Sequence, residues 1–224
     1  GFLNARGYKT FYYPNVLKHF TNADAASLIS GNAMANIYVK SPDGWERRST
    51  FGEMQRLVDD FLERPEVDVV AGTDDEGKVR IKSVRGEASA WIGEDGRINY
   101  SKLSGDPFGY NGMPKSMTSR ESLSASFDTE YPDAPLQLIQ LLESPRAGDL
   151  VLSANLGYDL RAHHENPEHR SSHGSLVRDH MVVPLAISAP VTDEFVRTVD
   201  IYPTILSLLG RALPEGLDGI DLSA

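Results

Sequence analysis

The spacing of apolar residues divides the chain into one clear helix, a series of short strands and a C-terminal region of mixed character. Apolar residues recur at helical spacing from Phe51 to Leu62, starting directly after Thr50. Thr50 and Glu53 have the spacing of a capping box. The pattern therefore predicts a helix over 50–62. Short apolar runs between turns rich in Asp and Gly predict strands. These predicted strands are Ala33–Lys40, Val67–Ala71, Lys78–Ser83, Glu87–Ile92, Arg97–Tyr100, Asp149–Ala154 and Val182–Ser188.

Two further helices are predicted from their end signals. Asp133 and Pro135 are typical of a helix start, which predicts a helix running through Leu142. A helix is also predicted over the apolar run 198–209, where Pro203 is tolerated only if it lies in the first turn.

The remaining segments have weaker patterns. Residues 1–30 have no clear period and are predicted to form helix or loop fragments. Residues 103–131 are predicted to form a long ordered connection.

The order of these elements predicts an α/β fold from residue 145 onward, because strand, loop, strand and helix follow one another there. A capped helix followed by a small meander is α+β in character. We therefore predict core segments at 1–40 and 145–224, with 41–144 as a cap-like α+β insert and connection.

Composition excludes several classes of function. The net charge is −10 over 224 residues and is spread along the chain, which argues against nucleic-acid binding. The chain has no cysteine, so a transition metal would have to be bound by His, Asp or Glu. Neither a run of about 18 apolar residues nor a signal peptide is apparent, so no membrane partner is expected and the compartment stays open.

The candidate chemistry is concentrated in 162–184, which contains five of the six histidines and lies between two predicted strands. Polar loops at strand ends are where α/β proteins place functional residues. His173–Gly174 is the leading candidate, because neutral imidazole binds zinc-like metals and a glycine lets the backbone pass close to an ion or phosphate. Such a pair is more often ordinary solvated loop.

Other polar residues near this loop have simpler structural interpretations. Asp159 and His163 have the spacing of a helical metal pair, but Gly157 argues against a helix there. His164 and His169 are read as surface loop, with contact to a substrate as the alternative. The remaining candidates are Asp179–His180, interpreted as a turn or strand-end pair, and Asp200, interpreted as a helix cap.

Several segments together resemble the C-terminal portion of the alkaline phosphatase superfamily, nearest to its type I phosphodiesterase/nucleotide pyrophosphatase group. They are GDLVLSANLGYDL (148–160), HGS (173–175), MVVPLAIS (181–188), RTVDIYPTILSLLG (197–210) and LDGIDL (217–222). SGNAMANIYV (30–39) and GDPFGY (105–110) resemble the part that precedes this region. The resemblance covers most of the chain.

This resemblance implies a partial alkaline-phosphatase-like core, with a mostly parallel sheet and flanking helices. It implies two divalent metal ions, zinc or alternatively manganese, and a Ser or Thr nucleophile that attacks phosphorus. His173 corresponds to the histidine that completes one metal site. The nucleophile and the other ligands would lie outside this chain, which would then be the C-terminal part of a metal-dependent phosphodiesterase or phosphatase acting on small phosphoesters. The chain alone would be inactive.

Three alternatives stay open at this point. A sulfatase or phosphotransferase of the same superfamily would use the same C-terminal frame. A non-catalytic α/β module would bind a ligand or partner without metal. The loop would form a metal site of its own if His163, His164, His169 and His173 converged. A sheet lacking some of its strands would also expose apolar surface and favour self-association.

Overall fold

The computed structural model describes residues 1–11, 15–161, 171–191 and 193–223, and divides into two compact units, Gly1–Val182 and Val183–Ala224. The first unit is built on one sheet whose strands are β1 (Ala25–Ser30), β2 (Met34–Val39), β3 (Val67–Thr73), β4 (Val79–Ser83), β5 (Gly86–Ile92), β6 (Ile98–Gly105), β7 (Ser116–Met117) and β8 (Leu150–Ala154). Its helices are α1 (Phe2–Ala5), α2 (Val16–His19), α3 (Gln55–Leu62), α4 (Ser119–Ser126), α5 (Ala134–Glu143) and α6 (Arg178–Met181). A 3₁₀ turn at Phe20–Asn22 follows α2.

The eight strands lie in the order β1-β2-β8-β3-β4-β5-β6-β7, and every neighbouring pair is antiparallel. The predicted α/β fold with a mostly parallel, alkaline-phosphatase-like core is therefore wrong. Tight turns join β3 to β4, β4 to β5 and β5 to β6, and such short connections permit only antiparallel pairing. Strands from all three predicted segments, 1–40, 41–144 and 145–224, contribute to this one sheet.

The predicted strand over 182–188 is also wrong, because these residues form no strand. A parallel βαβ unit needs a second strand after the connecting segment. After β8 the chain instead returns to the β1–β2 turn through an isolated parallel bridge between Asn32 and His173, and then forms α6. The C-terminal region therefore adds one strand, β8, to the sheet.

The centre of the sheet is buried on both faces. On one face Val69, Ala71 and Val151 join a cluster that includes the buried side of α5. On the other face Val70 and Leu150 join a cluster that includes the buried side of α3. Successive strand residues point to opposite faces, so β3 and β8 are buried on both. Helices cover an antiparallel sheet on both sides, and its central strands consequently have continuous apolar sequences.

Two polar clusters tie the chain segment before α3 to the one before β8. Arg48 donates hydrogen bonds to the carbonyls of Leu142, Ser144 and Ala147, at 2.8, 2.9 and 2.7 Å. The Asp149 carboxylate accepts from the amides of Val39 and Ser49, at 2.7 and 2.8 Å. Burial raises the pKa of Asp149 even though both amides favour its charged form. The α3 and α5 layers are thereby fixed to the sheet at the same end.

The second unit is organised around α7 (Ile201–Leu208), which follows a 3₁₀ turn at Thr198–Asp200. The Asp200 carboxylate accepts from the amides of Arg197 and Ile220, at 2.8 and 2.9 Å. Thr204 accepts from the Leu222 amide at 3.0 Å. Asp200 occupies the N-cap position of α7 without a side-chain capping bond to that helix. Its carboxylate instead closes the start of the 3₁₀ turn and holds the C-terminal segment. None of the helices in the described ranges has the length and apolar character needed to cross a membrane.

Candidate functional site

The candidate site lies where three segments meet at one end of the sheet. These segments are the β1–β2 turn, the residues that follow β8, and the segment 171–177. The His173 amide donates to the Gly31 carbonyl at 3.0 Å, and the Ala33 amide donates to the His173 carbonyl at 3.1 Å. The main chain of His173 is therefore held on both sides, while His173 itself is exposed.

Gly31 is the residue that allows His173 to approach the turn so closely. It has a φ of 62°, in the left-handed region that favours glycine. A Cβ atom at position 31 would lie 2.5 Å from His173 Nδ1 and 2.6 Å from the His173 carbonyl oxygen. Both the backbone conformation and the contact with His173 consequently require a glycine here.

The same turn also holds the residues that follow β8. The Leu160 amide donates to the Asn32 carbonyl at 2.8 Å. Ser172 then donates to the Asp159 carboxylate at 2.6 Å, which joins the described residues on either side of 162–170. Of the predicted Asp159/His163 metal pair, the structure describes only Asp159. His163, with His164 and His169, lies outside the described residues.

Ser175 and His180 form a second polar pair beside His173. The Ser175 Oγ lies 2.7 Å from His180 Nδ1. Ser175 is completely buried, so its hydroxyl is not exposed at the surface. The next amide, of Leu176, donates to the buried Ser153 hydroxyl of β8 at 3.0 Å. The sequence predicted that Asp179–His180 lies in a turn or at the end of a strand. In the structure the pair lies in the one-turn helix α6.

The GDPFGY segment, part of the sequence resemblance, forms a structural corner after β6. The Asp106 carboxylate accepts from the Phe108 amide at 2.9 Å and from the Tyr100 hydroxyl at 2.7 Å. Burial and then the Asp106 carboxylate raise the pKa of Tyr100 well above its ordinary value. Phe108, Tyr110 and Tyr131 pack beside Tyr100 in the same core. These contacts give the GDPFGY segment a structural role in the packing of the core.

Among the described residues the site presents one exposed imidazole, that of His173. His173 is fixed by its main chain, and a neutral imidazole is a good ligand for zinc-like ions. Within the described ranges, no three His, Asp or Glu side chains are grouped closely enough to hold a metal ion. A complete site would need ligands in addition to those that the described residues bring together.

The residues that support His173 were missed in the sequence because they act through tertiary contacts. In the sequence, Gly31 and Asn32 only precede a predicted strand, and Ser153 lies within another. In the structure both Gly31 and Asn32 have left-handed φ values in the three-residue connection between β1 and β2.

Comparisons with protein-family models, with curated proteins and with solved structures give no match to the chain.

Replacing Gly31 by alanine should destabilise the protein by more than the backbone strain of about 1–2 kcal/mol, because the new methyl group overlaps His173. Urea denaturation measures this loss. Gly77→Ala is the matched control, since Gly77 has a φ of 79° and open space around its Cβ position. Equal losses in the two variants would contradict a specific role for the close approach of His173.

Proposed function

We propose that this chain contributes His173 as one metal ligand to a metal-dependent phosphodiesterase or phosphatase, of which it forms the C-terminal part. The observation that carries the proposal is the fixed main chain of His173 combined with its exposure. The order of the sequence motifs supports the same assignment. The proposal does not require a parallel sheet, because it depends on the local geometry of His173.

The chemistry assigned to His173 is that of a neutral nitrogen ligand. His173 would supply one ligand to a divalent ion, zinc or manganese, and such ions would lower the pKa of a hydroxyl nucleophile and offset charge on the phosphoryl oxygens. A chain with a net charge of −10 repels an anionic phosphoester, so local positive charge at the site is needed for binding. The nucleophile and the other ligands are assigned to residues outside this chain.

A second candidate function is a self-contained metal site in the histidine-rich loop. Its supporting observation is that both loop ends are held by one turn, through Leu160 at the Asn32 carbonyl and His173 at the Gly31 carbonyl. The loop between them carries His163, His164 and His169, which lie outside the described residues. Because the residues on both sides of 162–170 are already held together, bringing these histidines to one ion would cost less conformational entropy.

Calorimetric titration with zinc and with manganese tests the proposal. We expect weak binding to the chain, because catalytic zinc sites use three protein ligands and His173 supplies one. His173→Ala should weaken this binding by about tenfold or more, which corresponds to about 1.4 kcal/mol. His19→Ala, which changes an exposed histidine of α2, is the control and should bind like the unmodified chain.

Three outcomes would redirect the proposal. Binding that is identical in His173→Ala and the unmodified chain would remove His173 as a ligand. Tight stoichiometric binding would favour the self-contained loop site. Hydrolysis of bis-(p-nitrophenyl) phosphate by the chain alone would contradict the assignment of the nucleophile to another polypeptide segment. A sulfatase or phosphotransferase would bind metal in the same way, whereas a non-catalytic module would show no binding that depends on His173.

A further inference from the structure

An exposed asparagine precedes a glycine in the connection between β6 and β7. Asn111 is the single asparagine of the sequence that is followed by glycine. Asn111 and Gly112 are both exposed and lie outside helices and strands. Asparagine is a thermolabile residue, because the next main-chain nitrogen can attack its side-chain carbonyl. We propose that Asn111 is a site of spontaneous deamidation, at which the folded chain is converted to aspartate and isoaspartate. The reaction does not involve the proposed metal ligand.

The reaction needs water and no other reactant. The Gly112 nitrogen loses its proton to solvent and forms a bond to the Cγ atom of Asn111. The bond from Cγ to the side-chain nitrogen breaks, and this nitrogen takes a proton from solvent and leaves as ammonia. Water then opens the five-membered ring at either of its two carbonyl carbons. One opening gives aspartate and the other gives isoaspartate, and both products carry one additional negative charge.

The amide of Gly112 is available for this attack. Among the residues that the structure describes, none accepts a hydrogen bond from it. A Cβ atom at position 112 would meet nothing within 4 Å, so the space beside this residue is open. An amide that already donates a hydrogen bond must first lose its acceptor before its nitrogen can react. The unbonded Gly112 amide avoids this cost.

The turn between β5 and β6 contains a pair that is matched in every other respect. Asp95 and Gly96 are both exposed, and Gly96 has a φ of 73°, close to the 78° of Gly112. The Gly96 amide, however, donates to the Gly93 carbonyl at 2.9 Å. The two glycines therefore have similar conformation and exposure, and they differ in the hydrogen bonding of the reacting amide.

Residues 111–114 form a short loop that is held at both ends. The Tyr110 carbonyl accepts from Lys102 Nζ at 2.9 Å. The Lys115 carbonyl accepts from the Tyr100 amide at 2.9 Å. Ring closure within the loop therefore does not require the core to unfold. Because isoaspartate adds one carbon atom to the main chain, that product lengthens the path between two fixed points.

Peptide mapping by mass spectrometry tests the proposal on the full chain. The folded chain and the chain unfolded in urea are incubated in parallel, and aspartate and isoaspartate at position 111 are measured over time. We expect conversion in both samples, well ahead of every other asparagine. Asn111→Gln is the control and should stay unmodified over the same period, because its ring would have six members. Absence of conversion in the folded chain, while the unfolded chain converts, would overturn the proposal.

Asp95→Asn places the same dipeptide where the glycine amide is bonded. For each site the rate in the folded chain is divided by the rate in urea, which removes the effect of neighbouring residues. We expect this ratio to be lower by about 2–12-fold for the introduced asparagine than for Asn111, the rate equivalent of one amide hydrogen bond. An equal or higher ratio would contradict the role of the unbonded amide.

Asp43→Asn provides the same comparison if Asp95→Asn fails to fold. Asp43 is also exposed and precedes a glycine, and the Gly44 amide donates to the Ser41 carbonyl at 3.0 Å. The expected ratio is again lower than that of Asn111. A ratio equal to that of Asn111 would overturn the proposal in the same way.

Discussion

Phe51→Ala is expected to lower the free energy of unfolding by about 3–5 kcal/mol, the range for truncating a buried phenylalanine. Phe51 is 1% exposed and belongs to the cluster between α3 and the sheet. Its ring lies over Gly72, where a Cβ atom would come within 3.2 Å of Phe51 Cδ2. Because Gly72 has no side chain to move into the space, the cavity should remain largely unfilled.

Urea denaturation followed by circular dichroism measures this loss. Trp45→Ala is the control, since Trp45 is an aromatic residue nearby in the sequence and is 42% exposed. Surface substitutions of this kind change stability by about 0.5 kcal/mol. A similar loss in both variants would mean that Phe51 is not part of a tightly packed core.

Arg48→Met should destabilise the protein by about 2–4 kcal/mol, because hydrogen bonds to charged groups contribute about 1.5–3 kcal/mol each and this site is only partly buried. The substitution leaves the carbonyls of Leu142, Ser144 and Ala147 without their shared donor. These carbonyls lie between the end of α5 and the start of β8. We therefore expect this connection to open first.

The neighbouring arginine provides the matched control. Arg47 pairs with Asp43 and Glu53 at the surface, and exposed ion pairs of this kind contribute about 0–1 kcal/mol. Thermal unfolding of Arg47→Met and Arg48→Met should therefore differ clearly. Arg48→Lys should recover only part of the loss, because one ammonium group cannot span three carbonyls. Equal melting temperatures for the two methionine variants would contradict this account.

Local signals in the sequence predicted many of the individual elements, but not β1, which lies in the segment predicted as helix or loop fragments. Thr50 and Glu53 do bond to each other's amides, although the helix itself begins at Gln55. The strands β2 to β6 and the helix α5 lie close to their predicted positions. A second capping box at Thr118 and Glu121 forms α4 inside the segment interpreted as a connection. That helix could have been predicted from the same signal.

The arrangement of the strands could not be predicted in the same way. Continuous apolar runs such as that of β8 are typical of parallel sheets, because both faces of those sheets are covered by helices. Here an antiparallel sheet is covered on both faces by α3 and α5, which produces the same pattern of residues. Burial on both faces is visible in a sequence, whereas the direction of the neighbouring strand is not.

Of the candidate site, only His173 and Gly174 could be predicted from the sequence. His173 and Gly174 are adjacent in the sequence and have recognisable chemistry. Their supports come from distant positions, such as Gly31 in the β1–β2 turn and Ser153 in β8. Such contacts depend on which strands become neighbours, and the predicted parallel sheet does not bring these strands together as the observed one does. The ligand role of His173 stays a prediction that metal titration can decide.

The position of β8 has a consequence for how the chain is made on the ribosome. β8 lies between β2 and β3, and the contact between Val39 and Asp149 joins residues 110 positions apart. Until residue 154 has been synthesised, the β1–β2 hairpin and the β3–β7 meander are two separate pieces with facing open edges. Such long-range pairing is slow and leaves apolar strands exposed to aggregation. The nascent chain should therefore depend on chaperone protection until this strand is inserted.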